Sequence, residues 1–316
     1  MAAPRAPITM GAKEWGLLLT LSAIWGGGFL MVAISLEAFP PFTVVMFRIG
    51  LAALGLAVAV KVMGIGFKLP KTAPKNETLR AFALLAVFNV AVPFICLSWG
   101  QNRISTSLTS ILYCSMPFFT VFLAHFMVSD ERLTRRKLVG VLTGFAGVTA
   151  IIIPSAKDAI GGDILGQISV LCAPLSYGFS AVMARRYIHL GIHPLQMAAG
   201  QTVGAAFIFV PLALYVDQPW QLAAPGTHVW LALASLAFVA TAFATVLYFR
   251  LLNTAGATNA SLTTLFVPIF TIFGGVLFLG EVFSWAQALG MLIIGLGMVI
   301  MDGRLLAKVR SRWAAI

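Results

Sequence analysis

The sequence is poor in charge. Asp, Glu, Lys and Arg make up 10% of its 316 residues, against about 25% in an average soluble domain. The shortage falls on one sign: 10 acidic residues stand against 21 basic ones, for a net charge of +11. All the acids, Glu14, Glu37, Glu77, Asp130, Glu131, Asp158, Asp163, Asp217, Glu281 and Asp302, lie in loops or at the ends of apolar stretches. No carboxylate is left inside a stretch for a proton relay or acid–base work. The three cysteines, Cys96, Cys114 and Cys172, are odd in number and sit in apolar stretches, which excludes a disulfide framework and reads as small core residues. His125 falls near the end of a stretch and His189, His193 and His228 in loops, so no set has metal-ligand spacing. H-E-x-x-H, P-loop and G-x-S-x-G patterns are missing. Neither an enzyme nor a metal or other cofactor is expected.

What the chain has instead is length in apolar runs: 60% of residues are hydrophobic and the mean hydropathy is +0.96. A helix needs about 20 mostly apolar residues to cross a bilayer. Reading with that length gives Trp15 to Leu36, Phe42 to Met63, Leu79 to Trp99, Ser105 to Met127 and Leu138 to Ile153 in the first half. The second half gives Ile164 to Met183, Leu195 to Val216, Val229 to Leu252, Ala257 to Leu279 and Phe283 to Met301. The fold class expected is therefore an all-α membrane protein of ten transmembrane helices, with the last two either separate or joined as a hairpin. The first run is as long as a span and no small-residue cleavage site follows it, so it is expected to stay attached.

A net charge of +11 would suggest nucleic acid in a soluble protein, but the positions of the basic residues decide otherwise. Cytoplasmic loops collect Lys and Arg. With the N-terminus inside, 18 of the 21 basic residues fall on the inner side, Arg103 and Lys157 fall outside, and Arg48 alone is left within a span. This places both termini in the cytoplasm of a multi-pass protein of the inner (plasma) membrane, with the bilayer and a small molecule as partners, no nucleic acid, and a monomer or homodimer as the assembly.

The two halves can be laid over one another. Asn102, Ser110, Pro117, Phe119 and Thr120 match Asn253, Ser261, Pro268, Phe270 and Thr271 at one offset. With one residue of slip, Glu131, Gly140 and Gly147 match Glu281, Gly290 and Gly297, and Gly16, Ala23, Gly28 and Phe29 match Gly166, Ala173, Gly178 and Phe179. Pro41 matches Pro194. Five spans per unit is an odd number, so the second copy enters the membrane from the other side: a 5+5 inverted-topology repeat. Such repeats give two mirror-related arrangements around a midplane site, the geometry of alternating access. The domains follow as a cytoplasmic N-terminus over 1–14, repeats over 15–154 and 155–302, and a basic cytoplasmic tail over 303–316.

Trp25 and Gly26 in the first span, Arg48 in the second, Pro117 in the fourth, Glu131 and Glu281 opening the last loop of each half, and the Gly-rich fifth span together resemble the EamA family of the drug/metabolite transporter superfamily. The likeness runs from about Trp15 to Met301. It implies ten helices around a central cavity lined by the first four of each half, peripheral fifth and tenth helices, and an exporter of amino acids or related metabolites. The second half departs from the pattern, with Leu175 in place of the Trp and Gln201 in place of the Arg, so unequal contributions to the site are expected. Quaternary-ammonium exporters of the smaller four-helix branch carry a first-span Glu that this chain lacks.

Arg48 stands about 10 Å from the outer end of its span at 1.5 Å per residue. A charge at that depth is a functional hypothesis by default: its forked donors suit a substrate carboxylate, or it ties helices together and snorkels. Trp25, Asn89, Trp99, Tyr113, Tyr177, Thr245, Tyr248 and Thr264 are the other substrate-site candidates, being few polar and aromatic groups in an apolar setting. For each, an interfacial belt or a helix–helix bond is the competing role. Pro117 and Pro268 are hinge candidates or static kinks. The function expected is export of amino acids or related metabolites, downhill because no embedded acid offers coupling. Carriers of sugars, nucleotide-linked or lipid-linked precursors, and an intramembrane enzyme or sensor, are the alternatives.

Overall fold

The computed structural model describes residues 10–70, 73–127, 134–157 and 163–302, and among these it is helical with no strand. Glu131 and the basic tail lie outside the described residues, as does most of the N-terminal segment. The rods in chain order are α1 (Ala12–Leu36), α2 (Pro41–Val62), α3 (Lys75–Gln101), α4 (Thr106–Met127), α5 (Arg135–Lys157), α6 (Ile164–Arg185), α7 (Pro194–Val216), α8 (Thr227–Ala255), α9 (Thr263–Leu279) and α10 (Trp285–Asp302). Seven of them, α1 to α4 and α6 to α8, have the length and apolarity of a membrane crossing. At 1.5 Å per residue, 22 residues reach about 33 Å, enough for a hydrocarbon core of about 30 Å. The protein is a multi-pass membrane protein, and its outer surface is apolar accordingly, with Leu54, Phe207 and Phe273 more than half exposed.

Local chemistry sets the rod ends. Pro41 and Pro194 stand at the first position of α2 and α7, where the missing N–H has no helical partner to lose. Asp163 caps α6, its carboxylate accepting from the Leu165 and Gly166 amides. Gly280, at φ 65°, ends α9 in the left-handed region, which glycine enters at no steric cost. The chain thereby turns so that Glu281 reaches the start of α4. There its carboxylate accepts from the Thr106 and Ser107 amides and the Ser107 hydroxyl.

Packing between the halves is reciprocal. Helix α1 lies on α9 and α8, while α6 lies on α4 and α3; α2 lies on α8, while α7 lies on α3; α2 and α7 pack together, and so do α5 and α10. Glycines set the closest approaches. A Cβ on Gly26 of α1 would sit 2.9 Å from the Val267 carbonyl of α9, and one on Gly178 of α6 would sit 2.9 Å from the Thr120 amide of α4.

Several rods are not continuous α-helix. The third rod of each half contains a π-helical stretch, Ala86–Ala91 in α3 and Ser235–Phe243 in α8. Helix α4 breaks at Cys114 and Ser115, immediately before Pro117. The expected run from Ala257 is instead a short turn of helix at Ala257–Ala260, a break at Ser261 and Leu262, and then α9. Pro268 lies inside α9, past that break. The two matched prolines therefore occupy different local structures.

Candidate functional site

Helix α2 brings Arg48 into the bundle, where Nε donates to the Thr241 hydroxyl across 3.1 Å. Thr241 belongs to the π-helical part of α8, and its own hydroxyl donates to the Leu236 carbonyl five residues back. The guanidinium lies over the Phe94 ring of α3, its carbon 3.7 Å from the centroid. Among the described residues no carboxylate stands within ion-pair distance of Arg48. Tyr113 of α4 and Tyr177 of α6 are within electrostatic reach of it. Their rings meet edge to face with centroids 6.0 Å apart, and Phe29 of α1 packs on Tyr113 at 5.7 Å.

Trp25 of α1 and Tyr248 of α8 form a second aromatic pair at 5.7 Å. Trp25, Arg48, Tyr113, Tyr177 and Tyr248 are all half-buried despite their place between rods. A set that is mostly aromatic with few polar groups has the composition of a small-molecule site.

Asn89 sits in the π-helical part of α3. Its Nδ2 donates to Oε1 of Gln201 on α7 across 3.3 Å, and its Oδ1 accepts from the Ser180 hydroxyl at 2.9 Å. The Tyr177 carbonyl lies 2.9 Å from the same hydroxyl and shares its one hydrogen. The two contacts correspond: Arg48 of the second rod meets the π stretch of the eighth, and Gln201 of the seventh meets the π stretch of the third. A π-turn inserts a residue and occurs frequently at functional sites.

The remaining candidates are placed elsewhere or already engaged. Trp99 stands in the last turn of α3 with the Arg103 guanidinium 4.0 Å over its ring, and Arg103 pairs with Asp163 at 2.8 Å. This arginine holds the Asp163 carboxyl below its ordinary range. The Thr245 hydroxyl donates to the Thr241 carbonyl at 2.6 Å, and that of Thr264 to the Ser261 carbonyl at 2.8 Å. Thr241, Phe94 and Ser180 were not singled out by sequence. A lone Thr, Phe or Ser in an apolar helix carries no signal of its own, and only the repeat offset pointed to Gln201.

Grooves on the outer surface, one along Arg80, Ala83, Leu84 and Val87 and another including Ile269, Phe273 and Met291, are apolar and share no residue with this set.

Comparison with known proteins bears on the family and the fold. The chain is similar to the uncharacterized transporter YoaV of Bacillus subtilis, 25% identical over 89% of this chain and 93% of that protein. It is likewise similar to the uncharacterized inner membrane transporter YedA of Escherichia coli K12, 26% identical over 90% of each chain. An uncharacterized transporter of Archaeoglobus fulgidus is 25% identical over 91% of this chain and 98% of that one. A solved crystal structure shares the fold, with a TM-score of 0.65 at 17% identity over 94% of this chain and 98% of the other. The model of the EamA-like transporter family matches residues 14–153 and 164–301. Both halves being covered, the chain belongs to the EamA-like transporter family.

Proposed function

We propose that the protein exports amino acids or related small metabolites across the inner membrane, moving them downhill by alternating access around the cavity that Arg48 lines. The observation that carries this reading is Arg48 itself: a guanidinium set between rods, held by Thr241 and Phe94, with no protein carboxylate paired to it among the described residues. Among the described residues its Nη donors have no partner, leaving them for a ligand anion, and a guanidinium matches a carboxylate with two parallel bonds. Reciprocal packing of the halves supports an inverted repeat of ten crossings, which supplies two arrangements of similar energy about one site. Asp217, Glu281 and Asp163 cap or pair at rod ends, which supports transport without a coupling proton, and an internal surplus of metabolite is sufficient driving force.

Uptake of labelled amino acids and their derivatives into liposomes that contain only this protein tests the proposal. The expected result is equilibration without accumulation, unchanged by an imposed pH or sodium gradient. Lack of movement across a broad panel refutes the substrate class. Concentrative uptake refutes the downhill mechanism. Uptake of sugars or of nucleotide-linked or lipid-linked precursors in their place would favour the rival carrier reading, and chemical conversion of a substrate would favour an enzyme.

A further inference from the structure

The charge on Arg48 has a neutral counterpart. Gln201 occupies the repeat position of Arg48, and where Arg48 meets Thr241, Gln201 meets Asn89. The Ser180 hydroxyl donates to Asn89 Oδ1, and Asn89 Nδ2 donates to Gln201 Oε1. This chain of bonds spends the acceptor of Gln201 and leaves its Nε2 hydrogens without a protein partner among the described residues. Gln201, like Asn89, is half-buried, so part of it stays open. The site thus has two donor poles, one charged and one neutral.

One rod carries a partner of each pole. Phe94 under the guanidinium and Asn89 beside Gln201 are five residues apart on α3. Ser180 bonds to the Tyr177 carbonyl, and Tyr177 is within electrostatic reach of Arg48, so α6 also runs past both poles. Phe94, Tyr113 and Tyr177 surround the charged pole with aromatic rings.

We infer that the cavity takes a singly charged carboxylate whose second polar group is an uncharged hydrogen-bond acceptor, the carboxylate docking on Arg48 and the acceptor on the Gln201 amide. This rests on the transport reading above and narrows it from amino acids in general to their N-acylated, 2-oxo or 2-hydroxy relatives. One carboxylate neutralises Arg48. A second carboxylate would meet only an amide, and an ammonium group would enter a site whose one fixed charge is already positive, with no acid beside Arg48 among the described residues to receive it.

The test uses four probes that share a phenyl ring: N-acetylphenylalanine, phenylalanine, 3-phenylpropionate and benzylsuccinate. Each is measured with the full chain by liposome uptake and, separately, by the rise in Tm that it produces in detergent. N-Acetylphenylalanine is expected to lead the other three by about tenfold, the worth of one hydrogen bond or charge mismatch. Gln201→Leu should bring it down to the level of 3-phenylpropionate. Gln201→Glu, which keeps the acceptor for Asn89 but removes the free donor, should do the same and serves if the Leu variant does not fold. Gln201→Arg should raise benzylsuccinate.

Binding in the expected order with no uptake would refute transport and leave the inference standing. Uptake in which phenylalanine equals N-acetylphenylalanine, or in which the Gln201 variants keep the native order, would overturn the inference while transport stands. No binding and no uptake of any probe would also overturn it.

Discussion

The thiol of Cys114 donates to the carbonyl of Thr264 across 2.8 Å, and this carbonyl is the one that Pro268 leaves without a helical partner. In an α-helix the N–H of residue 268 would bond to residue 264, but proline has no N–H. The break in α4 therefore supplies a donor to the proline site of α9, and both residues are buried.

Cys114→Ser should preserve this bond and Cys114→Val should remove it. An unmet buried carbonyl costs on the order of 1–3 kcal/mol. The valine variant should melt a few degrees lower in detergent, and the serine variant should melt with the native protein.

Arg48→Gln should abolish most transport while the protein still folds, since it copies the residue found at position 201. Arg48→Lys should do nearly as much harm. An ammonium cannot lie flat on Phe94, and it cannot direct one donor to Thr241 while keeping a forked pair for a ligand. Rates in liposomes compared with Tm values separate loss of function from loss of fold. Native rates in the lysine variant would reduce Arg48 to a plain positive charge.

Glu281→Ala should destabilise the protein by about 1–3 kcal/mol, because two helix-start amides and the Ser107 hydroxyl lose their acceptor together. Glu281→Gln keeps one acceptor oxygen and should fall between. Thermal melts of the three proteins give the order.

His189 bonds Nε2 to Glu77 at 3.0 Å, and Nδ1 lies 2.7 Å from the Arg186 carbonyl. First Glu77 and then that carbonyl raise its pKa above the ordinary 6.5. A raised folded-state value means that the contact contributes fully below about 6.5 and that its contribution is lost as pH climbs through the folded value. Histidine-ring NMR should show the His189 pKa fall on Glu77→Gln. An unchanged titration would refute the pairing.

A reporter active only in the cytoplasm, fused after Ile316, should be active, because the expected topology puts 18 basic residues inside and 2 outside. Activity of a periplasmic reporter at the same point would overturn an even count with both termini inside.

Apolar length made the rods legible from sequence, and paired prolines and glycines made the duplication legible. Boundaries slipped where polar turns extend a helix past its apolar part: α3 starts at Lys75 rather than Leu79, and α5 at Arg135 rather than Leu138. The broken start of α9 was hidden because Ala257 to Leu279 has the length of a span and hydropathy does not register a turn, although Thr258, Asn259, Ser261, Thr263 and Thr264 make its start polar. The site was half legible. A lone arginine in a span announces itself, and Tyr113 and Tyr177 do gather near it. The π-turns that bring Thr241 and Asn89 to their partners depend on packing between rods distant in sequence, so no local pattern marks them. Trp99 had the right residue type, but it stands at a rod end under Arg103.

Helices α5 and α10 meet backbone to backbone. A Cβ on Gly140 would lie 2.7 Å from the Gly297 carbonyl, one on Gly147 would lie 2.9 Å from that of Gly290, and Gly144 makes room for Phe118 of α4. Contact this close admits neither sliding nor rotation without a collision, so the seam ties the two halves together at α5 and α10. Bulk added to this seam should then show up in how much protein assembles, not in what the assembled protein carries.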